Sequence, residues 1–242
     1  MIQIKLSKSK VNCFLQCPRK FKYENIDMIP QPTPAKGSPL DIGLAIHKIF
    51  ELFVKEHSNE DISQMNKEDI LSILMLYDRA KEFERHMINF ADFIYECFQN
   101  GYQVYTAEYY IHNLDYDLSG LADLVLIKDN KLTVVDYKTG KTNSVRKYLL
   151  ELSYYVILCE EEFDLEVNYV GIFFTKGNDF RFAQVRGDIR KGTLLSQEDI
   201  DASVTLLDLV NDAVKEGNYQ PKRQFLCKYC PYDVKCQLVG GF

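Results

Sequence analysis

Tryptophan is absent from this chain of 242 residues, so any stacking on aromatic rings must fall to its 16 Tyr and 15 Phe. Also absent is any apolar run near the roughly 20 residues of a membrane-spanning helix, which argues against a helical membrane protein. No G-x-x-x-x-G-K-S/T loop occurs, so no ATPase motor is encoded. No Ser/His/Asp arrangement stands out, no internal repeat or low-complexity tract is evident, and no linker separates two independent domains. The opening stretch MIQIKLSKSKVN lacks the apolar core of a signal peptide. An intracellular, cytoplasmic location is therefore expected, where thiols stay reduced and disulfides are rare. The seven cysteines then need another explanation.

Acidic residues are missing from residues 1–22, which hold Lys5, Lys8, Lys10, Arg19, Lys20 and Lys22. Near the other end stand Lys222, Arg223, Lys228 and Lys235, while acids concentrate in 51–96. The net charge of −6 argues at first against nucleic acid. A basic surface built from both ends is nevertheless the local field that a phosphate backbone needs; the plainer reading is a scatter of solvated lysines. Hydrophobic residues make up 46% of the chain, enough for one sizeable core.

Apolar periodicity predicts a helix over 9–24 with Ser9 as its N-cap, then a loop over 28–40 carrying four prolines. A helix over 41–55 follows. Asn66, with Asp69 at the third helical position, caps a helical stretch that reaches residue 100 and breaks once near Leu76–Arg79. Strands are expected at 103–112, 118–127 and 132–138, then a helix over 144–160 and a strand at 167–174. That strand–helix–strand order favours a parallel crossover. A further strand at 180–186 and a helix capped by Ser196 and running to Glu216 complete the pattern. The expected fold class is α/β (α+β), a mixed central sheet flanked by helices.

The most informative feature is Gly120-Leu-Ala-Asp123 followed by Val135-Asp136-Tyr137-Lys138. Two β-branched runs flank Lys128-Asp129-Asn130-Lys131, a polar turn signal. With Asp129-Asn130 as a two-residue loop, Asp123 lies across from Asp136. Directly opposed side chains sit roughly 4.5–5.5 Å apart at Cβ, a spacing that suits two carboxylates gripping one divalent cation. Lys138 shares the face of Asp136. An ammonium there can position a nucleophile and offset developing negative charge. The alternative is an exposed Asp pair with a surface Lys, yet like charges directly opposed destabilise a sheet.

Cys227-x-x-Cys230-x5-Cys236 clusters three thiols, one short of a tetrahedral site. Cys17 is the leading candidate for the fourth ligand and Cys13 the runner-up; Cys97 and Cys159 lie on apolar helical patterns as core residues. Four thiolates suit zinc or an iron–sulfur cluster, and spacing alone does not separate them. Either would tie the first twenty residues to the last twenty as a clasp.

Three further candidates complete the set. His47 sits early in a helix, where a lone His is more often structural, yet a site with two carboxylates still lacks ligands. Glu108, an acid inside an aromatic run, is a supporting group or an edge residue. Glu151 and Tyr155 lie four apart on the crossover helix and so share a face, able to orient Lys138 or a phosphate or simply to pack at the core edge.

The order Cys17-Pro, Gly43-x3-His47, Gly120-x2-Asp123, Asp136-Tyr-Lys138 and Cys227-x2-Cys230-x5-Cys236 resembles the PD-(D/E)XK nuclease superfamily. It is most similar to the RecB-type iron–sulfur branch that includes Cas4 proteins and the AddB nuclease domain. The resemblance covers nearly the whole chain. It implies Asp123 and Asp136 as ligands of a catalytic Mg²⁺ or Mn²⁺, helped by His47 and the backbone carbonyl of Tyr137, with Lys138 as the catalytic lysine. It implies a 4Fe–4S cluster on Cys17, Cys227, Cys230 and Cys236. It also implies one nuclease domain over 1–242: 1–24 with 217–242 as the clasp, 41–100 as a helical block, and 101–190 as the catalytic sheet core. The family pattern has Gln-x3-Tyr on the crossover helix, whereas this chain has Glu151 and Tyr155. The expected activity is metal-dependent cleavage of DNA, single-stranded or at ends, in DNA processing, recombination or CRISPR adaptation. A helicase, recombination or CRISPR-adaptation protein is the expected partner, and no membrane is involved. A different class of reading is a nuclease-fold module that grips DNA or a partner without cutting, with a zinc or iron–sulfur clasp.

Overall fold

A computed structural model describes residues 5–31, 33–113, 116–188 and 192–238. Residues 1–4 and 239–242 of the expected clasp segments, Pro32 of the proline-rich loop and residues 114–115 and 189–190 of the expected sheet core lie outside the described residues. The described elements are β1 (Leu6–Ser7), α1 (Lys8–Gln16), α2 (Pro18–Asn25), α3 (Pro39–Glu56), α4 (Asn59–Gln64), α5 (Lys67–Leu74), α6 (Glu84–Gln99), β2 (Gln103–Asn113), β3 (Leu118–Lys128), β4 (Lys131–Lys138), α7 (Leu149–Phe163), β5 (Val167–Phe174), β6 (Asp179–Val185), β7 (Leu194–Leu195), α8 (Gln197–Lys215) and α9 (Asp233–Leu238). The chain is divided between two compact units. One takes 1–33, 112–120 and 201–242; the other takes 34–111 and 121–200.

In the larger unit, β3 and β4 are antiparallel, β4 and β5 parallel, β5 and β6 antiparallel, and β6 and β7 parallel, while β2 pairs with β3. The fold is thus mixed α/β, a mixed sheet flanked by helices. The turn between β3 and β4 is the expected one: Asp129 and Asn130 both have positive φ (50° and 58°), which short polar side chains tolerate in a two-residue hairpin. Lys128 pairs with Lys131 and Leu124 with Val135, the predicted register. The parallel β4–α7–β5 crossover is also present.

Leu124, Leu126, Val135 and Tyr137 are buried in a core shared with Ile46, Phe50 and Phe53 of α3 and Phe90 of α6. Phe50 and Phe90 stack with centroids 3.8 Å apart, and Tyr137 meets both edge-on at 5.3 and 5.9 Å. Such aromatic pairs are each worth about 0.5–1.5 kcal/mol beyond the area they bury. This packing fixes α3, and with it His47, against the end of β4.

Several expected boundaries shift for local reasons. The helix expected over 9–24 is two helices. Its cap is Ser7, whose hydroxyl accepts from the Lys10 N–H at 3.3 Å, rather than Ser9. Cys17 between them is extended (φ −160°, ψ 109°). Pro18 explains the break: it lacks an N–H and disfavours helical geometry in the residue before it, while fitting the first position of α2. Asn66 and Asp69 form the expected reciprocal cap, and the predicted interruption runs from Met75 through Arg79, with Arg79 left-handed at φ 63°. Ser196 and Asp199 likewise cap α8. The short α4, β1 and β7 have no signal in the periodicity because each is six residues or fewer.

In the smaller unit, β1 runs parallel to the opening of β3, and the buried Ser119 hydroxyl donates to the Leu6 carbonyl at 3.1 Å. Phe14 packs edge-on against Phe21 at 5.4 Å, and Tyr23 against Tyr232 at the same separation. The segments around Tyr23 and Tyr232 therefore pack together.

Candidate active site

The β3–β4 ladder's last paired residues are Leu124 and Val135, one step short of Asp123 and Asp136. There the Tyr137 N–H donates to Asp123 Oδ2 at 2.7 Å, so a carboxylate takes the place of a ladder carbonyl. Both aspartates are buried, with exposures of 8% and 2%. Burying a lone carboxylate costs several kcal/mol, so the surroundings must supply compensation.

His47 on α3 supplies part of it. Its Nε2 lies 3.2 Å from the Tyr137 carbonyl, the geometry of an N–H donating to that oxygen. Its Nδ1 then faces Glu108 Oε1 at 3.5 Å and Asp123 Oδ2 at 3.6 Å. His47, Glu108 and Asp123 each offer a ligand atom within 4.8 Å of the others. Burial works against an imidazolium here, but the Glu108, Asp123 and Asp136 carboxylates outweigh it and hold His47 above its ordinary pKa. Burial, with the Asp136 charge beside it, pushes Asp123 up to about 7.

Lys138 Nζ sits 2.7 Å from Asp136 Oδ2 and 3.8 Å from Glu151 Oε2 on α7. The Tyr155 hydroxyl, one helical turn on, donates to the Leu121 carbonyl at 2.9 Å and lies 3.4 Å from Asp136 Oδ1. The hairpin, α3 and the crossover helix thus converge, and Asp123, Asp136, Lys138, His47, Tyr137, Glu151 and Tyr155 all belong to one constellation. The Tyr137 carbonyl, expected as a cation ligand, is engaged by His47.

Glu108 is the residue whose place the sequence left open between support and edge. It stands inside β2 with φ 44°, a left-handed conformation that costs a non-glycine residue about 1–3 kcal/mol. The strand's alternation fails there: Tyr109 and Tyr110 are both exposed. The buried Oε1 has no hydrogen-bond partner among the described residues. An acid interrupting an aromatic strand was the only available signal.

The donor set fits a hard divalent cation: carboxylate oxygens and one imidazole nitrogen, with a buried carboxylate oxygen lacking a hydrogen bond among them. Such equipment at the end of a hairpin is that of a cation-dependent hydrolase. The sequence profile of the PD-(D/E)XK nuclease superfamily matches residues 5–237. The chain belongs to that superfamily, whose members are typically metal-dependent nucleases. A search of curated proteins found no match. Among the described residues, no helix is long and apolar enough to cross a membrane.

In the smaller unit, Cys17, Cys227, Cys230 and Cys236 line one small cavity together with Arg19, Lys20 and Lys222. The break before Pro18 places Cys17 where its sulfur accepts from the Lys222 N–H at 3.5 Å, and Cys227 accepts from the Gln224 N–H at 3.4 Å. Cys13 is turned elsewhere: its thiol donates to Glu24 Oε2 at 3.3 Å, and burial, aided by Glu24, pushes it up to about 12. Burial likewise pushes Cys97 and Cys159 up to about 12; Cys159 is a buried core thiol, whereas Cys97 is partly buried against the core.

Proposed function

We propose that the protein is a metal-dependent DNA nuclease, acting on single-stranded DNA or DNA ends and carrying a structural 4Fe–4S cluster in the manner of Cas4 proteins. The observation that carries the reading is the meeting of His47, Glu108 and Asp123 beside an Asp136–Lys138 pair. His47, Glu108, Asp123 and Asp136 would hold Mg²⁺ or Mn²⁺. Such a cation supplies Lewis acidity and lowers the pKa of a bound water.

The chain's own groups do the rest. His47, with its Nε2–H spent on the Tyr137 carbonyl, presents Nδ1 as a ligand. Tyr155 steadies Asp136. Asp136 and Glu151 hold the Lys138 ammonium in place, where it stabilises charge growing on the phosphate oxygens. Glu151 keeps a negative charge near that path, where the family pattern has a neutral glutamine.

The cluster reading rests on Cys17, Cys227, Cys230 and Cys236 sharing a cavity with backbone N–H groups directed at two of their sulfurs. Four thiolates suit an iron–sulfur cluster or zinc. The proposed settings are DNA processing, recombination or CRISPR adaptation, beside a helicase, recombination or CRISPR-adaptation protein.

The test is digestion of end-labelled linear and circular single-stranded DNA with Mn²⁺ against EDTA. Mn²⁺-dependent cleavage is expected, and loss of the circle identifies endonuclease action. Binding with no cleavage of either substrate would make the protein a non-cutting module.

A further inference from the structure

Beside the loop that follows Lys138 lies an open cleft of about 600 Å³, lined by Thr142, Asn143, Ser144, Val145, Arg181 and Phe182 among others. Three independent features of it point to a polyanion. First, residues 137–150 contain Lys138, Lys141, Arg146 and Lys147 and no acidic residue, in a chain whose net charge is −6. Second, the register of the sheet aligns Asp136 with Ile172 and Ile172 with Arg181. Directly paired residues project from the same face. Arg181 therefore shares the face of Asp136 at two strand spacings, about 9–10 Å. Third, the arginine is held yet accessible: Nε donates to Asp179 Oδ2 at 2.9 Å while the side chain is 56% exposed. The cleft wall depends on Gly177, where a Cβ would stand 2.8 Å from Thr142 Oγ1.

We propose that this cleft is a subsite for the nucleic-acid strand beside the scissile bond. Arg181 contacts a flanking phosphate, and the Thr142–Ser144 side chains contact the backbone. The subsite rests on the nuclease reading for its purpose, yet it is tested by binding alone.

The probe is a fluorescent 12-nucleotide oligothymidylate, followed by anisotropy in EDTA across a salt series. The intact protein should bind, and Arg181→Gln should weaken binding about three- to tenfold and lower the log–log salt slope by about 0.7, one single-strand phosphate contact. Asp179→Asn should leave affinity equal or raise it, since it removes a carboxylate from the phosphate path. A merely structural Asp179–Arg181 pair would give both charge variants the same sign and overturn the proposal. Unchanged affinity and slope for Arg181→Gln, or no binding by the intact protein, would overturn it too. Cleavage with Mn²⁺, measured in parallel, judges the nuclease reading separately: a protein that binds through Arg181 but never cuts retains the subsite and loses that reading.

Discussion

The Tyr137 N–H donates to Asp123 Oδ2 at 2.7 Å, joining the two strands by a side chain at the point where their backbone ladder stops. That bond aims Asp123 toward His47 Nδ1, 3.6 Å away, while the carbonyl of the same Tyr137 faces His47 Nε2. One residue of β4 thus orients both a carboxylate and an imidazole. Removing the Asp123 carboxylate should disturb strand pairing and cation binding together. Asp123→Asn, which can still accept from Tyr137, is expected to fold and to lose Mn²⁺ affinity. Calorimetric titration and a thermal melt on the same preparation check both halves.

Asp136→Ala and Lys138→Ala should both cripple cleavage, by different routes. The aspartate variant is expected to lose Mn²⁺ binding. The lysine variant is expected to bind Mn²⁺ and turn over about 10²–10³ times more slowly, the loss typical of one charge-stabilising donor. Normal single-turnover cleavage by either variant would remove the site from consideration.

Glu108→Gln should act with opposite signs on two measurements. Without metal, the variant should melt at a higher temperature than the parent, because one of several crowded carboxylates is gone. With saturating Mn²⁺ the order should reverse. If the two melts shift in the same direction, Glu108 is a strand residue rather than a ligand.

Metal-free protein should lose stability as pH rises through neutrality. Asp123, raised to about 7 when folded against 3.8 ordinarily, binds more protons folded than unfolded between those values, so its contribution falls as pH climbs through 7. His47, also raised, adds stability at low pH and loses it through its folded pKa, the same sign. EDTA-treated protein is therefore expected to melt higher at pH 6 than at pH 8, less so in Asp123→Asn. Mn²⁺ displaces these protons, so its affinity should rise over the same interval.

Anaerobically purified protein should be brown. Cys13→Ser should stay brown and Cys17→Ser should not, because Cys13 is bonded to Glu24 while Cys17 shares the cavity. A colourless protein with one equivalent of zinc would replace the cluster and keep the clasp.

The hairpin was legible because its information is local: turn residues that tolerate positive φ set a register, and the register set which side chains could meet. The geometry at Cys17 was not legible, since Pro18 splits a helix that apolar spacing reads as continuous. Glu108 was half-visible. Its position depends on a left-handed residue inside a strand and on an imidazole from α3, 61 positions earlier. The Glu151–Lys138 approach was anticipated as a shared face. Its 3.8 Å separation depends on how α7 lies along the sheet, which spacing does not encode.

The division of the chain also has a consequence for the order of synthesis. Residues 34–111 and 121–200 contain every member of the proposed catalytic constellation, whereas Cys227, Cys230 and Cys236 belong to the unit that takes 201–242. A ribosome therefore releases the whole proposed hydrolytic equipment before Cys227, Cys230 and Cys236 emerge, while Cys17, made earlier, waits for them. A chain interrupted after residue 200 would carry the catalytic groups without the clasp. Loading of the proposed cluster would then follow the emergence of the catalytic groups.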